Sequence, residues 1–442
     1  MRKRISILFI ALCALNATMV AQDYVRMSER SLTGSARYVG MGGAMTAIGG
    51  DPSAAHDNPA GGGLYQHIEA MFTMGGDFDR TRQVGGNTIG VRNSFTMPQA
   101  SLVVSVPTYT SKEMGVQFHN FLFSYRRLHS FRRTWVADGT NGASLGALLN
   151  SKGLTLDIPY ATDATNRTNS LQLRESGSVN EFAFDWSMNI GHQLYTGLGL
   201  RIQSYTLSAD ADYYEDFTTL NAEGKRYDIE NETSLLFDGV NCNLAFGLIY
   251  RPAKWFRMGI GVQTPTIGSY NGYNKGTFSA ITDSLRYSYA PDLNYRDTRY
   301  HMPWRVSSSV AFQCGAYGML SFQYDYAHAS FQDDYHSLRA GLEVIPLMGL
   351  YVNAGYAYEI TFKPTQTVGL DPTFDRQDTY SVAPRWTQYV SAAIGYRGEM
   401  MMIQAAYQYS WRRTDLYALE SAAPYDMASN THRLVVTLGW RR

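Results

Sequence analysis

The sequence predicts an all-β protein, a 14-stranded antiparallel transmembrane β-barrel, and three observations carry that expectation. The 442 residues include 32 Tyr, 20 Phe, 7 Trp and 40 Gly but only 17% charged side chains, and past residue 21 no run of 18 or more apolar residues offers a membrane-spanning helix. Segment after segment alternates apolar and polar residues with period 2. The connections between those segments alternate long and short, a rhythm that a barrel with turns on one rim and loops on the other produces and a β-sandwich does not.

The first element, residues 1–21, opens with Arg2, Lys3 and Arg4, runs through an apolar stretch from Ile5 to Leu15 and reaches the small Ala21. It reads as a cleaved secretory signal. Cys13 lies inside it behind Leu12, which is too bulky for a lipoprotein cleavage site. Cys242 and Cys314 remain in the mature chain and are expected as free thiols, because two cysteines do not make a disulfide framework. An exported chain that crosses a bilayer without helices must satisfy its backbone by closing a sheet on itself. The 38 Lys and Arg cancel the 38 Asp and Glu, which excludes a nucleic-acid binder built on a basic face.

The second element, residues 22–68, is too glycine-rich for a helix bundle. Its small residues let backbone approach a wall closely, its glycines supply turns with positive φ, and Pro59 fixes a corner that biases Asn58 toward an extended conformation. A barrel of this size encloses a lumen that needs closing, so this segment is expected as an N-terminal plug.

Residues 69–442 supply the strands: 69–79, 97–107, 114–125, 180–190, 193–206, 239–250, 255–264, 304–313, 318–326, 337–345, 350–358, 387–397, 401–411 and 432–440. The clearest row sets Phe182, Phe184, Trp186, Met188 and Ile190 against Glu181, Ala183, Asp185, Ser187 and Asn189. Aromatic residues cluster near strand ends, as interfacial girdles require. Short turns such as Gly191-His192 and Gly398-Glu399 mark one rim; stretches 80–96, 126–179, 207–238, 265–303, 359–386 and 412–431 read as long loops at the other. The last strand ends its apolar row on Trp440, the kind of C-terminal signal that barrel-assembly machinery reads.

In the second element, Ala36-Arg37, Gly40-Met41-Gly42-Gly43-Ala44, Ile48-Gly49-Gly50-Asp51-Pro52-Ser53-Ala54 and Asn58-Pro59-Ala60-Gly61 follow one another just before strand 1. This order resembles the plug of FadL-type outer-membrane transporters of long-chain fatty acids and other hydrophobic compounds, in their Bacteroidetes-like form. The hairpin 247–259 and Pro303-Trp304-Arg305 are similar to that family's barrel. The resemblance implies a Gram-negative outer-membrane channel for passive, plug-gated uptake of hydrophobic small molecules, with no catalysis and no cofactor. Its expected partners are the apolar ligand, the bilayer, lipopolysaccharide and the assembly machinery, and its expected state is a monomer. Relatives that serve protein secretion as scaffold or shuttle share versions of the motif, and haem uptake is a weaker alternative, with His56 and His301 as the histidines to touch iron. The plug residues implied are Gly40, Gly42, Gly43, Gly49, Gly50, Asp51, Asn58, Pro59, Ala60 and Gly61.

Two further sets are candidates for substrate contact. In stretch 126–179, Arg126 and Arg127 stand beside apolar side chains that include Leu145, Leu148 and Leu149, a pattern that suits a greasy groove with arginines for a carboxylate. In strand 3, Phe121 and Phe123 lie opposite Leu122, so both faces are partly apolar, which suits a path for hydrophobic solutes. The family's strand 3 bends inward and opens the wall sideways; no proline in strand 3 marks such a bend here. Gly40-Met41-Gly42-Gly43-Ala44 lacks the third glycine and the βαβ context of a dinucleotide loop, and Gly142-Ala143-Ser144-Leu145-Gly146 lacks the strand that precedes a nucleophile elbow.

Overall fold

The computed structural model describes residues 26, 28–87, 89–108, 115–139, 145, 164–219, 226–282, 286–290, 294–328, 334–360, 380–419 and 422–442. The signal reading of 1–21 and the candidates Leu148 and Leu149 lie outside these residues.

The described strands join into one closed antiparallel sheet of fourteen staves. In order they are β1 (Glu69–Gln83), β2 (Ile89–Pro107), β3 (Val116–Ser130 continued by Arg133–Gly139), β4 (Ala164–Ile190), β5 (Leu194–Thr219) and β6 (Arg226–Ala253). Then follow β7 (Phe256–Gln263 with Ile267–Thr282), β8 (Arg286–Tyr289, Asn294–His301 and Trp304–Gln313), β9 (Gly318–His328) and β10 (Tyr335–Leu347). The last four are β11 (Leu350–Ile360), β12 (Ser381–Arg397), β13 (Met401–Tyr417) and β14 (Tyr425–Arg441). Closure comes from β1 pairing with β14, Glu69 opposite Arg441 through Gln83 opposite Met427. Both Ile68 and Arg442 sit at the turn rim, bonded to each other through their backbones at 3.1 and 2.9 Å.

All fourteen expected strands are present, but the expected long loops are corrected. Much of 80–96, 126–179, 207–238, 265–303 and 412–431 is strand, continuing the staves beyond the alternating segments. The reason is an inversion of polarity along single strands. In β4 the outward row runs Ile190, Met188, Trp186, Phe184, Phe182 and then turns polar at Asn180, Ser178, Ser176 and Arg174; the inward row runs Asn189, Ser187, Asp185, Glu181 and then turns apolar at Val179, Leu173 and Leu171. β5 does the same, from Arg201 and Gln203 to Leu207, Ala209, Ala211 and Tyr213 inside. The lower part is solvated by lipid outside, whereas the upper part has water outside and a dry core within.

That core joins Leu128, Phe131, Trp135, Leu173, Leu207, Tyr213, Phe237, Phe278, Leu416 and Met427, among others, across the loop end of the barrel. Below it the outward apolar band is bounded by aromatic clusters. On β7 and β8 Trp255, Phe256 and Phe312 meet at the turn rim with ring centroids 5.3–6.3 Å apart. Trp304 meets Tyr326 at 5.4 Å on the upper side. Trp304 to Phe312 is nine residues, eight steps of about 3.3 Å or roughly 26 Å of strand, the length a tilted bilayer-crossing strand has. Cys242 and Cys314 are both free and exposed. Cys242 stands well inside β6, which begins at Arg226.

Candidate functional site

Residues 28–64 run inside the barrel as an inner segment with two short helices, α1 (Ala36–Gly40) and α2 (Pro52–Asp57), and a 3₁₀ turn, Pro59–Leu64. Each starts at a polar cap. Ser35 accepts from Tyr38 N, Asp51 from Ser53 N at 2.8 Å, and Asn58 from Ala60 N at 3.1 Å. Pro52 and Pro59 occupy first-turn positions where no backbone donor is needed. Asn58 is extended (φ −141°, ψ 102°) and donates to Thr46 O and Leu248 O at 2.9 and 3.3 Å, which fixes the corner against β6. Gly42 takes φ +60° with its backbone against Gly355 of β11, a contact without room for a side chain on either partner. Gly40 lies against Ala393, Gly43 completes the Gly42 turn, and Gly49 and Gly50 turn the chain into Asp51, with Gly50 N bonded to Gly61 O at 3.0 Å.

The wall has matching glycines on its inward rows. Gly197 and Gly247 face Pro59 and Ala60, Gly259 faces Thr46 and Ala47, and Gly341 faces Met41. A run of glycines on the polar row of lower strands was the sequence signal for this docking surface, and the sequence reading did not use it.

Buried ion pairs tie the segment to strands all around the ring. Arg37 meets Glu343 of β10 through two bonds of 2.7 and 2.9 Å. Arg412 of β13 donates to Glu29 at 2.6 Å, Arg433 of β14 to Leu32 O at 2.7 Å, and Arg305 of β8 to Ser28 O at 2.6 Å. Arg26 stands just under the apolar core, 2.5 Å from Glu175 and 5.6 Å from the Phe131 ring centroid. Burial alone raises the Glu29 carboxyl, but Arg412, His129 and Arg26 outweigh it and hold it down at about 2.

Arg126 is not at a capture groove. Its side chain is buried inside β3, donating to Thr33 O and Ser53 O at 3.0 Å each, with the guanidinium 4.6 Å from the Tyr38 ring centroid. It locks the inner segment, which the sequence could not reveal because strand 3 continues past 125 rather than ending there. Arg127 is partly buried and donates to Asn180 Oδ1 at 3.4 Å. Phe121 and Phe123 point outward and belong to the lipid-facing band; Phe123 meets Phe184 edge-on at 5.6 Å. They are no lumen patch; the inward row there is Asn120, Leu122 and Ser124. Leu145 is buried in the loop-end core, its N–H donating to Glu215 at 2.7 Å.

His56 is fully engaged. Its Nδ1–H donates to Glu181 at 2.6 Å and its Nε2 accepts from Ser124 Oγ at 3.0 Å, so neither nitrogen is open to a haem iron. The side chain of His301 lies outside the described residues. Ser124, His56 and Glu181 stand in the order of a hydrolytic triad, but Ser124 is 6% exposed beneath α2, and a nucleophile needs space for an acyl carbon at its oxygen. The three serve as a clasp. Burial, only partly opposed by Glu181, holds the His56 imidazole down at about 4 against an ordinary 6.5, and Arg126 and Arg201 nearby add to the shift. Between those values a released His56 binds a proton that the docked one refuses, so docking is strongest above about 6.5 and weakens as pH falls toward 4. Hydrogen exchange of 52–64 is expected to be slow at pH 7 and much faster at pH 4.5 after correction for intrinsic rates; equal protection at both would contradict the clasp.

One side of the wall is incomplete. β2 pairs with β3 only from Pro107 opposite Phe118 to Gln99 opposite Arg126. Above Gln99, β2 continues to pair with β1, while the upper part of β3 crosses inside the β1–β2 hairpin: Thr81 donates to Thr134 O, and Gln83 and Asp138 exchange two bonds of 2.9 Å. Pro98, which lacks a backbone donor, stands at the fork, and Phe95 on the unpaired edge is 76% exposed. Strand 3 carries no proline; the proline at the fork is Pro98 of strand 2. Behind the fork lie Ser31, Thr33, Asp77, Arg127 and His129.

No protein-family model matches the sequence, and no curated protein does. Solved structures do match. A Pseudomonas aeruginosa FadL homologue superposes with a TM-score of 0.61 at 14% identity, covering 93% of this chain and 99% of that one. The Pseudomonas putida toluene transporter TodX gives 0.57 at 14% identity over 93% and 99%, and the Ralstonia pickettii toluene transporter TbuX 0.53 at 13% over 93% and 98%. At these identities the likeness establishes a shared fold.

Proposed function

We propose, from the fold shared with FadL-type and toluene-transporting barrels, that this protein is an outer-membrane channel of a Gram-negative bacterium passing hydrophobic small molecules by diffusion, with residues 22–68 as its plug. The observation that carries the reading is the sideways window above Gln99, where the β2 edge is unpaired beside the exposed apolar side chains Ile89, Val91 and Phe95 and the inner segment stands directly behind it. A solute that leaves a lumen sideways enters acyl chains without crossing water, a route that favours apolar compounds over hydrophilic ones. The short turns then face the periplasm, the loop-end core faces outward, and long-chain fatty acids are the expected substrate. The single chain closes its own barrel, and a monomer is the expected state.

The test is uptake by a Gram-negative host lacking its own fatty-acid channel. Expression is expected to raise entry of radiolabelled oleate at least tenfold over empty vector. Entry of oleate and toluene both at vector level, with the barrel inserted, would end the reading.

A further inference from the structure

We infer that the chamber behind the window is a binding site for a phosphate-type oxyanion. The inference does not depend on passage of any solute, because it concerns the chemistry of one cavity. That cavity, of about 50 Å³, lies between Arg30 and Ser31 of the inner segment and the inward rows of β1, β2, β3 and β11–β14. A single water needs roughly 10–15 Å³ in the same measure, so the space admits a small anion and little else.

Its lining contains six arginines, Arg30, Arg92, Arg132, Arg133, Arg412 and Arg433, against three carboxylates, Asp77, Asp79 and Glu359. Part of this charge is settled. Arg433 holds Asp77 by two bonds of 2.6 and 3.0 Å, Arg412 holds Glu29 at 2.6 Å from behind, and Arg133 lies 3.8 Å from Asp79. Among the described residues, Arg30, Arg92 and Arg132 have no carboxylate at ion-pair distance; Arg30 donates only to Gln263 at 3.0 Å. Two buried donors are also unmet: Arg412 Nε and Gln408 Nε2 have no hydrogen-bond partner, in side chains 8% and 2% exposed. Buried donors without acceptors are costly, and arginine has no acceptor of its own, so the missing partner must bring several acceptor oxygens and negative charge. A tetrahedral oxyanion supplies both, and the arginine fork matches its geometry.

The lining holds no aliphatic side chain, so an apolar tail has no place in the chamber. The same residues Ser31, Asp77, His129 and Arg433 border both the chamber and the window at Thr96 and Pro98. The anion therefore arrives either free or as the head of an amphiphile whose tail stays in the bilayer.

The experiment uses the full mature chain in phosphate-free detergent, with calorimetric titration of inorganic phosphate and of octyl phosphate below its micellar concentration, against sodium chloride at matched ionic strength. Saturable binding of at least one phosphate probe is expected, weakened at least tenfold by Arg30→Gln with Arg92→Gln. Gln408→Leu, which removes one unmet donor and keeps the volume, is expected to weaken it about threefold and carries the test if the double variant does not fold. Tighter binding of octyl phosphate identifies an amphiphile head; equal binding identifies the free anion. Absence of saturable binding for both probes, or affinity unchanged in every folded variant, overturns the inference.

Discussion

Deletion of residues 22–60 with residues 1–21 retained is expected to leave an inserted barrel with raised single-channel conductance in planar bilayers. The wall does not need the segment for its backbone, because the ladder from β1 round to β14 closes on itself. Glu343, Glu181, Arg126 and Arg412 lose their inner partners, but water that fills the emptied lumen solvates them, so the cost is far below that of a dry unpaired charge. Two obstacles stand in series in the native chain, the inner segment below and the apolar core above. The core rests on the layer of Arg26, Glu29 and Glu175, and loss of Arg26 and Glu29 brings water to its underside. A deletion variant that inserts normally and stays as closed as the parent would show that the loop-end core alone seals the barrel, and residues 22–68 would not be its plug.

Arg37→Ala is expected to release the inner segment while the barrel stays folded. The substitution removes two short bonds and leaves Glu343 buried among the segment and β10–β11 with only Asn353, 3.2 Å away, as a donor. Breaking a buried pair from one side costs roughly 3–5 kcal/mol, which is about two to three and a half decades in the docking equilibrium. Limited proteolysis within 28–64 should accelerate by a comparable factor, whereas heat-modifiable mobility of the barrel on gels should not change. Arg37→Met combined with Glu343→Leu removes both charges at once and should recover most of the protection. If Arg37→Ala were cut no faster than the parent, the ion pair would not be what holds the segment. Arg126→Ala is expected to act in the same direction, since Arg126 bonds Thr33 and Ser53, and its effect on uptake would then report a loosened segment instead of a lost carboxylate partner.

The lower half of each stave was legible because lipid outside and polar contacts inside impose one unbroken alternation, so Phe182 through Ile190 announced both strand and orientation. The upper halves were not. At Asn180 the outward row becomes polar and at Val179 the inward row becomes apolar, and a reader who expects one face to stay greasy sees the pattern end and writes a loop. The same misreading moved Arg126 and Arg127 from a strand to a loop base.

The sequence by itself determined the closed all-β architecture, its fourteen strands, the turn rim and the capped corners of the inner segment, because each of these is written in local period, local turn chemistry or a neighbouring cap: Asp51 before Pro52, Asn58 before Pro59. Only the tertiary structure decided which residues meet across the lumen. Arg37 and Glu343 are 306 positions apart, and Ala36 and Thr437 are 401 apart, yet each pair is in contact. Only it decided, too, that β2 and β3 part at Gln99 and Pro98 while the upper β3 crosses inside. Period 2 tells a strand which face is wet; it does not say how far two strands stay paired or what stands opposite, because those depend on closing the ring and filling it.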